Sequence, residues 1–365
     1  MISTKQAYVE KVIWSRAGLQ CLMVSQGDKK EKAYNFPALT GVAEQGNRVV
    51  LNTTAVELNL GSGGYHFVIY NYAQNNLQLS PSGHIIKLRY TPFQLKVQAY
   101  EEILSRRDPA ATLQRYKGMG NTPVVIGELH SMVAPFVLTI KKLHPGRRIV
   151  YIMTDSAALP LYLSNVIHHL QEEGLLSGTI TCGQAFGGDL ETVNIYTALI
   201  AAREELKADI ILITPGPGVV GTGTRYGYSG IEQGEHIDRV HKLRGIPIVI
   251  PRISFADKRS RHYGLSHHTL TSLREIALNK AFLPLPSFDK KKTSFILKQL
   301  QETGLHKKHD IIIVRQRLFQ FLKKSPCYLQ TMGRKVKEDP AFFAAVTATA
   351  IFVNRFCNWP ERFLP

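Results

Sequence analysis

From Pro123 onward the chain repeats one pattern: a short apolar run, a polar loop, then a segment with helical spacing. The runs lie at residues 124–129, 149–153, 179–182, 210–214, 247–253 and 282–285. They are largely apolar rather than alternating. A strand buried on both faces needs that composition, and helices between such strands signal a parallel sheet covered on both sides. In the second intervening segment Leu163, Val166, Ile167 and Leu170 fall at i, i+3, i+4 and i+7, with Pro160 as the opening residue and Gly174 as the stop. The expected fold is α/β: a Rossmann-like, mainly parallel sheet with helices on both faces. A further strand is expected at 311–314. A final helix follows, with Asp339 as its N-cap and Pro340 at its first position. Its apolar run, 341–353, is interrupted by Thr347 and Thr349 and falls short of a membrane span, so it reads as a buried docking helix.

The first 80 residues read differently. Runs at 8–16, 19–25, 48–58 and 65–72 are of strand length and rich in Val, Ile and aromatics. Turn chemistry such as Gln26-Gly27-Asp28 separates them. They predict a small all-β domain, barrel- or sandwich-like. The expected organisation is therefore a β domain over 1–90, a helical connector over 91–120, an α/β domain over 121–338 and a docking helix within 339–365. A chain of 365 residues is long enough for two such cores without a metal or disulfide staple. Its cysteines, Cys21, Cys182, Cys327 and Cys357, are too widely spaced for a CxxC pair, and the N-terminus MISTKQAYVEKV has no continuous h-region. A cytoplasmic protein with free thiols is expected.

Formal net charge is +17, unevenly spread. Residues 1–117 carry 14 basic and 8 acidic side chains, residues 118–286 carry 16 and 14, and residues 287–365 carry 15 and 6. The basic ends, with Lys290, Lys291, Lys292, Lys307, Lys308, Arg315, Arg317, Lys323, Lys324, Arg334 and Lys335, suit nucleic acid or an acidic partner. Phe319 and Phe321 interleave with them, although at helical spacing Leu318, Phe321 and Leu322 form a buried stripe just as well.

Ligands of open α/β sheets bind outside the carboxyl ends of the strands, so the loops that follow each strand are where chemistry is expected. They hold Glu128, His130 and Ser131, then Asp155 and Ser156, Asp189, the glycine-rich stretch 216–225, Asp257, and Ser266-His267-His268. Gly216, Gly218 and Gly221 satisfy GxGxxG after a strand, which admits a dinucleotide, but Thr222-Gly223-Thr224-Arg225 continues as loop where a fingerprint would open a helix. The expected role is a backbone anion nest, with Thr222, Gly223, Thr224 and Arg225 supplying further donors and Asp189 alongside. Glu128, His130, Asp155, Asp189 and His267 are candidate ligands of a divalent metal. Asp155, His130 and His267 are the catalytic candidates. Ser131 or Ser156 would serve as nucleophile with a histidine base, though neither lies in GxSxG. Consecutive helical residues point about 100° apart, so only one of His267 and His268 is expected to face a given ligand. The resulting expectation is a crevice that takes a small phosphate- or carboxylate-bearing molecule, with acid–base or metal-assisted chemistry. The alternative is a non-enzymatic binding module working through the basic ends.

The same loops carry a resemblance. GELHSMVAP, MTDSAALP, GQAFGGDLETVN, GPGVVGTGTR and SFADKRSRHYGLSHHTL are similar to a bacterial family known only as a domain of unknown function. The similarity runs from Val49 to Arg334. It implies membership of that family and brings no activity, cofactor or catalytic residue with it.

Overall fold

A computed structural model describes residues 1–61, 63–74, 82–107, 116, 118–315, 321, 322, 324 and 329–358. Cys327, Arg317, Leu318, Phe319 and Lys323 lie outside the described residues. The chain forms two compact units, residues 1–98 and 99–365.

The first unit is a closed five-stranded barrel. Its strands are β1 (Thr4–Arg16), β2 (Leu19–Gln26), β3 (Lys29–Asn35), β4 (Arg48–Asn52) and β5 (Tyr65–Asn71), in the order β1-β2-β3-β5-β4. β1 pairs with β4 along its first half and with β2 along its second, and register shifts near Val9 and Val12 supply the bend. Ala7, Val9, Leu22, Val24, Ala33, Val49, Leu51 and Val68 fill the interior. β3 escapes a hydrophobicity reading because its sequence is KKEKAYN, with only Ala33 and Asn35 buried. The run expected at 48–58 ends at Asn52. The Asn52 side chain accepts the Thr54 N–H (3.1 Å) and turns the chain into a short helix, Thr54–Glu57. A hairpin of β6 (Ile85–Lys87) and β7 (Leu95–Val97) completes this unit.

The second unit is built on eight parallel strands: β8 (Pro123–Ile126), β9 (Ile149–Thr154), β10 (Gly178–Cys182), β11 (Leu190–Thr192), β12 (Ile210–Pro215), β13 (Ile246–Val249), and, beyond the two-residue strands β14 (Ile253–Ser254) and β15 (Gly264–Leu265), β16 (Phe282–Pro286) and β17 (Asp310–Val314). Their order is β11-β10-β9-β12-β8-β13-β16-β17, which makes the Rossmann-like reading correct. A last hairpin, β18 (Gln330–Thr331) and β19 (Arg334–Lys335), precedes the C-terminal helix.

The inner strands are wholly buried, and each Ile, Leu or Val so placed is worth about 1.5–3 kcal/mol. Helices Val133–Leu143, Asn165–Glu172 and Pro340–Phe356 pack on one face, and Ile195–Glu204, Glu232–Lys242 and Lys290–Thr303 on the other. Crossovers leading from β8 toward β10 use the first face, and those leading back from β11 toward β17 use the second, as right-handed connections require.

That winding has a consequence for the site. β9 and β12 are neighbours whose following helices go to opposite faces, and so are β8 and β13. β12 and β8 differ in the same way, so the loops part on both sides of β12 and again at β13, which makes room at the carboxyl edge beside β9, β12 and β8 and beside β8 and β13.

The C-terminal helix is buried along nearly its whole length, with Phe342 and Phe343 edge to face at 5.2 Å. Thr349 satisfies its hydroxyl on the Ala345 carbonyl (3.1 Å). Among the described residues no helix is long and apolar enough to cross a membrane. Pro340 stands at the first turn as expected, but Asp339 does not cap the helix with its side chain. That carboxylate instead accepts from the buried Ser254 hydroxyl (2.7 Å) and the charged Arg334 Nε (3.0 Å), which together outcompete a backbone amide.

Candidate functional site

The first crevice, beside β9, β12 and β8, contains a cavity of about 750 Å³, within the range of small-molecule sites. Residues following all three strands reach it: His130 and Ser131, Ser164 to Val166, and Gly216 to Val219, with Gln330 and Met332 from the last hairpin. Gly216 is required sterically, since a Cβ there would stand 2.4 Å from the Ala158 carbonyl oxygen. Gly218 has φ 89°, which leaves its backbone free at the cavity rim.

His130 is buried, and the directions of its hydrogen bonds can be assigned from the donor inventory. The Thr214 hydroxyl donates to the Pro215 carbonyl (2.9 Å), leaving its oxygen to accept from Tyr151 (3.0 Å). In the tautomer that places the phenol proton on Thr214, His130 Nδ1–H donates to the Tyr151 oxygen (3.1 Å). Nε2 is then the bare lone pair, and the Ser164 hydroxyl donates to it at 2.7 Å. Burial holds the His130 imidazole down to about 4, so it is neutral at pH 7. Burial also pushes the Tyr151 phenol well above its usual range, which keeps its proton in place.

Ser164 is also the N-cap of helix Asn165–Glu172, accepting the Ile167 N–H (3.0 Å). The helix expected to start at Pro160 is thus broken into a turn, Leu161–Leu163, and a separate helix. That break brings a serine to the cavity wall. Asn165 and Val166, in the first turn, line the same cavity, and first-turn amides have no intrahelical acceptor.

The second crevice, beside β8 and β13, is charged. Glu128 is fully buried; it accepts from Thr269 (2.9 Å) and faces Arg252 at 3.5 Å. Burial pushes its carboxyl up, against the pull of Arg252 and Thr269. Asp257 takes a two-pronged contact from Arg259 (2.9 and 2.8 Å) and lies 3.4 Å from Arg334 and 3.8 Å from Arg252. These bonds hold Asp257 well below the usual carboxylate range, Arg259 first among them.

Against this network stand His262, His267 and His268, with ligand atoms within 4.8 Å of one another. Ser266 caps the short helix His267–Thr271 as the sequence implied, accepting the His268 N–H (3.2 Å), and also bonds His262 Nδ1 at 2.8 Å. Tyr228 stacks on His268 at 3.8 Å and 4°.

A family model described as "Protein of unknown function (DUF3866)" matches residues 32–350. The chain belongs to that family. No curated protein matches it.

In this DUF3866 chain the candidate residues go to separate places. His130, Gly216 and Gly218 meet at the cavity. Glu128 and His267 join the second crevice, where Gly221 also lies: a Cβ there would sit 3.5 Å from the His268 ring. Thr222 and Thr224 bond within their own loop, and Arg225 reaches out of it. The two hydroxyls bond each other at 2.9 Å, Thr222 also donates to the Gly227 carbonyl (3.0 Å), and Arg225 pairs with Glu275. Gly223 stands beside the Arg261 guanidinium, where a Cβ would be 3.6 Å away.

Asp155 accepts the Gln184 N–H (2.8 Å) and fixes the turn at Gly183. Asp189 is not at the carboxyl edge. The chain runs back after β10 to start β11 in parallel beside it, so Asp189 sits opposite Thr179 and accepts from its amide (2.7 Å) and hydroxyl (2.9 Å). A three-residue strand, LET, gives no apolar run to detect. The expectation that His267 and His268 diverge also fails, because both stand in the first turn and their rings rotate to centroids 4.3 Å apart. Ser131 bonds Thr331 (3.2 Å) rather than a histidine.

Ser164, Tyr151, Thr214, Arg252, Tyr228 and His262 were not singled out by sequence. For Ser164 the signal was Ser-Asn before a helical stripe, and for His262 the spacing of one histidine five and six residues before the next two. Of the basic C-terminal side chains, Lys292 pairs with Asp289 (2.9 Å) and Lys308 donates to the Arg274 carbonyl (2.8 Å).

Proposed function

We propose that the protein is an enzyme that takes a small carboxylate- or phosphate-bearing ester or amide into the 750 Å³ cavity and transfers its acyl group through Ser164, with His130 as base. The observation carrying this reading is the hydrogen-bond order Thr214–Tyr151–His130–Ser164, which leaves Nε2 unprotonated and facing the serine hydroxyl at 2.7 Å. Ser164 Oγ would form the bond to the substrate carbonyl carbon as its proton passes to His130 Nε2, and the leaving group would depart with that proton. Water then releases the acyl group by the reverse path. The Asn165 and Val166 amides supply the donors that a developing oxyanion needs. The cavity wall carries no Lys or Arg among the described residues, so the anionic part of the substrate would be met by backbone amides, with Gly218 at the rim.

A phenol stands where such triads carry a carboxylate. The Tyr151 hydroxyl fixes the imidazole tautomer but offers no charge to stabilise an imidazolium, so turnover is expected to be modest. The test is labelling with a fluorophosphonate, which reports serine nucleophiles whatever the natural substrate. Wild type should carry a single adduct on Ser164, absent in Ser164→Ala and in His130→Gln, with the variants' melting curves confirming folding. An unlabelled wild type, or labelling that survives His130→Gln, overturns the reading.

A further inference from the structure

We propose that His262, His267 and His268 form a three-histidine site for one divalent transition-metal ion, separate from the cavity. Three imidazoles within 4.8 Å of one another are the donor set such ions prefer. Nitrogens sharing one tetrahedral ion at 2.0–2.1 Å lie about 3.4 Å apart, so the rings need only a small closing rotation.

Three independent features favour an ion over mere packing. His267 Nε2 is buried and has no hydrogen-bond partner, an arrangement native interiors rarely leave unfilled. Ser266 bonds His262 Nδ1, and with Nδ1–H donating to that hydroxyl, Nε2 is left as the ligand lone pair; outer partners of metal-bound histidines do this routinely. Glu128 Oε1 lies 4.0 Å from His268 Nδ1, a carboxylate behind the imidazole.

The surroundings also say what completes the coordination. Arg252, Arg259 and Arg261 act electrostatically on the cluster, against the carboxylates of Glu128 and Asp257. Arg252 Nη2 is a buried donor without a hydrogen-bond partner. Another cation in that field is best accommodated with an anion in its open position, hydroxide at the least. Gly221 backs onto His268 and, having no side chain, leaves the approach to the ring clear.

The experiment is titration of the metal-stripped full chain with zinc(II) and with cobalt(II). One equivalent should bind, cobalt giving the visible absorption of a tetrahedral or five-coordinate site. His267→Gln, at the half-exposed position, should weaken binding by about a hundredfold or more, since even outer-shell changes cost 10–100-fold. His262→Asn is the second variant, and melting curves serve as a fold control in both. Binding that does not saturate, or saturates equally in His267→Gln, overturns the metal site. Because the readout is metal content and spectrum, its failure is distinct from failure of the serine chemistry.

Discussion

The two crevices at the carboxyl edge of the sheet lie on either side of β8 and solve opposite electrostatic problems. The cavity beside β9 and β12 is built from neutral groups: a phenol, two hydroxyls and an imidazole, each donating to the next. The crevice beside β13 is built from ions: Glu128 and Asp257 among Arg252, Arg259 and Arg334. A neutral relay keeps one proton arrangement because every donor is spent, and it leaves room for a ligand. An ionic network must satisfy its own charges first, so its members hold one another in place. The lesson is that a polar side chain at the ligand edge is available for chemistry only to the extent that its neighbours leave a lone pair or proton over.

The largest effect expected from breaking this contrast is in the relay. Ser164→Ala should abolish phosphonate labelling and His130→Gln should lower its rate by about 10³-fold or more, as for other serine–histidine pairs, while zinc binding stays unchanged. Loss of both properties in either variant would mean that the crevices are one site.

Next comes the ionic side. Asp257→Asn leaves Arg252, Arg259 and Arg334 without their shared carboxylate, and should cost about 3 kcal/mol in urea denaturation. A change below about 1 kcal/mol would show the network to be solvated surface.

The neutral side carries a pH signature of similar size. His130 is neutral in the fold down to about pH 4, whereas an unfolded histidine protonates near 6.5. Between those values the unfolded chain binds a proton that the folded chain refuses. Stability should therefore fall as pH drops from 6.5 to 4 and level off below, by about 3 kcal/mol for this residue. His130→Gln should flatten that slope relative to wild type. Labelling of Ser164 should be constant from pH 6 to 8 and decline only as pH approaches 4.

Tyr151→Phe removes the group that fixes the imidazole tautomer. We expect a loss of about 1–2 kcal/mol and slower labelling, with adduct still formed on Ser164. An unaltered rate would assign the tautomer to another partner. The smallest effect belongs to Arg225→Ala, which cuts an exposed pair with Glu275 and should leave the urea midpoint nearly unchanged. If Arg225 instead serves a ligand, phosphate would protect wild type, and not this variant, against heat.

The sequence was legible wherever one residue's environment could be inferred from its immediate neighbours. Unbroken apolar runs such as residues 149–153 marked strands with two buried faces, and Ser266 marked a helix start. β3 and β11 were illegible for the converse reason. One is a strand with a solvated, lysine-rich face, and the other is three residues long and held by its neighbour rather than by its own composition. Asp339 shows the same limit at a single side chain, because the local rule assigned it to a helix cap and a serine 85 residues away took it together with Arg334.

What the sequence determined by itself is the succession of elements and the edge at which polar loops gather, because burial pattern and right-handed crossovers depend on composition and chirality alone. Only the tertiary structure decided that this edge holds two crevices. Inserting β12 between β9 and β8 is a choice of strand order, and strand order is fixed by long-range packing that no local spacing encodes. The faces taken by the chain after β8, β9 and β13 part His130 from His267 and let Ser164, 34 residues from His130 in the chain, reach within 2.7 Å of its ring.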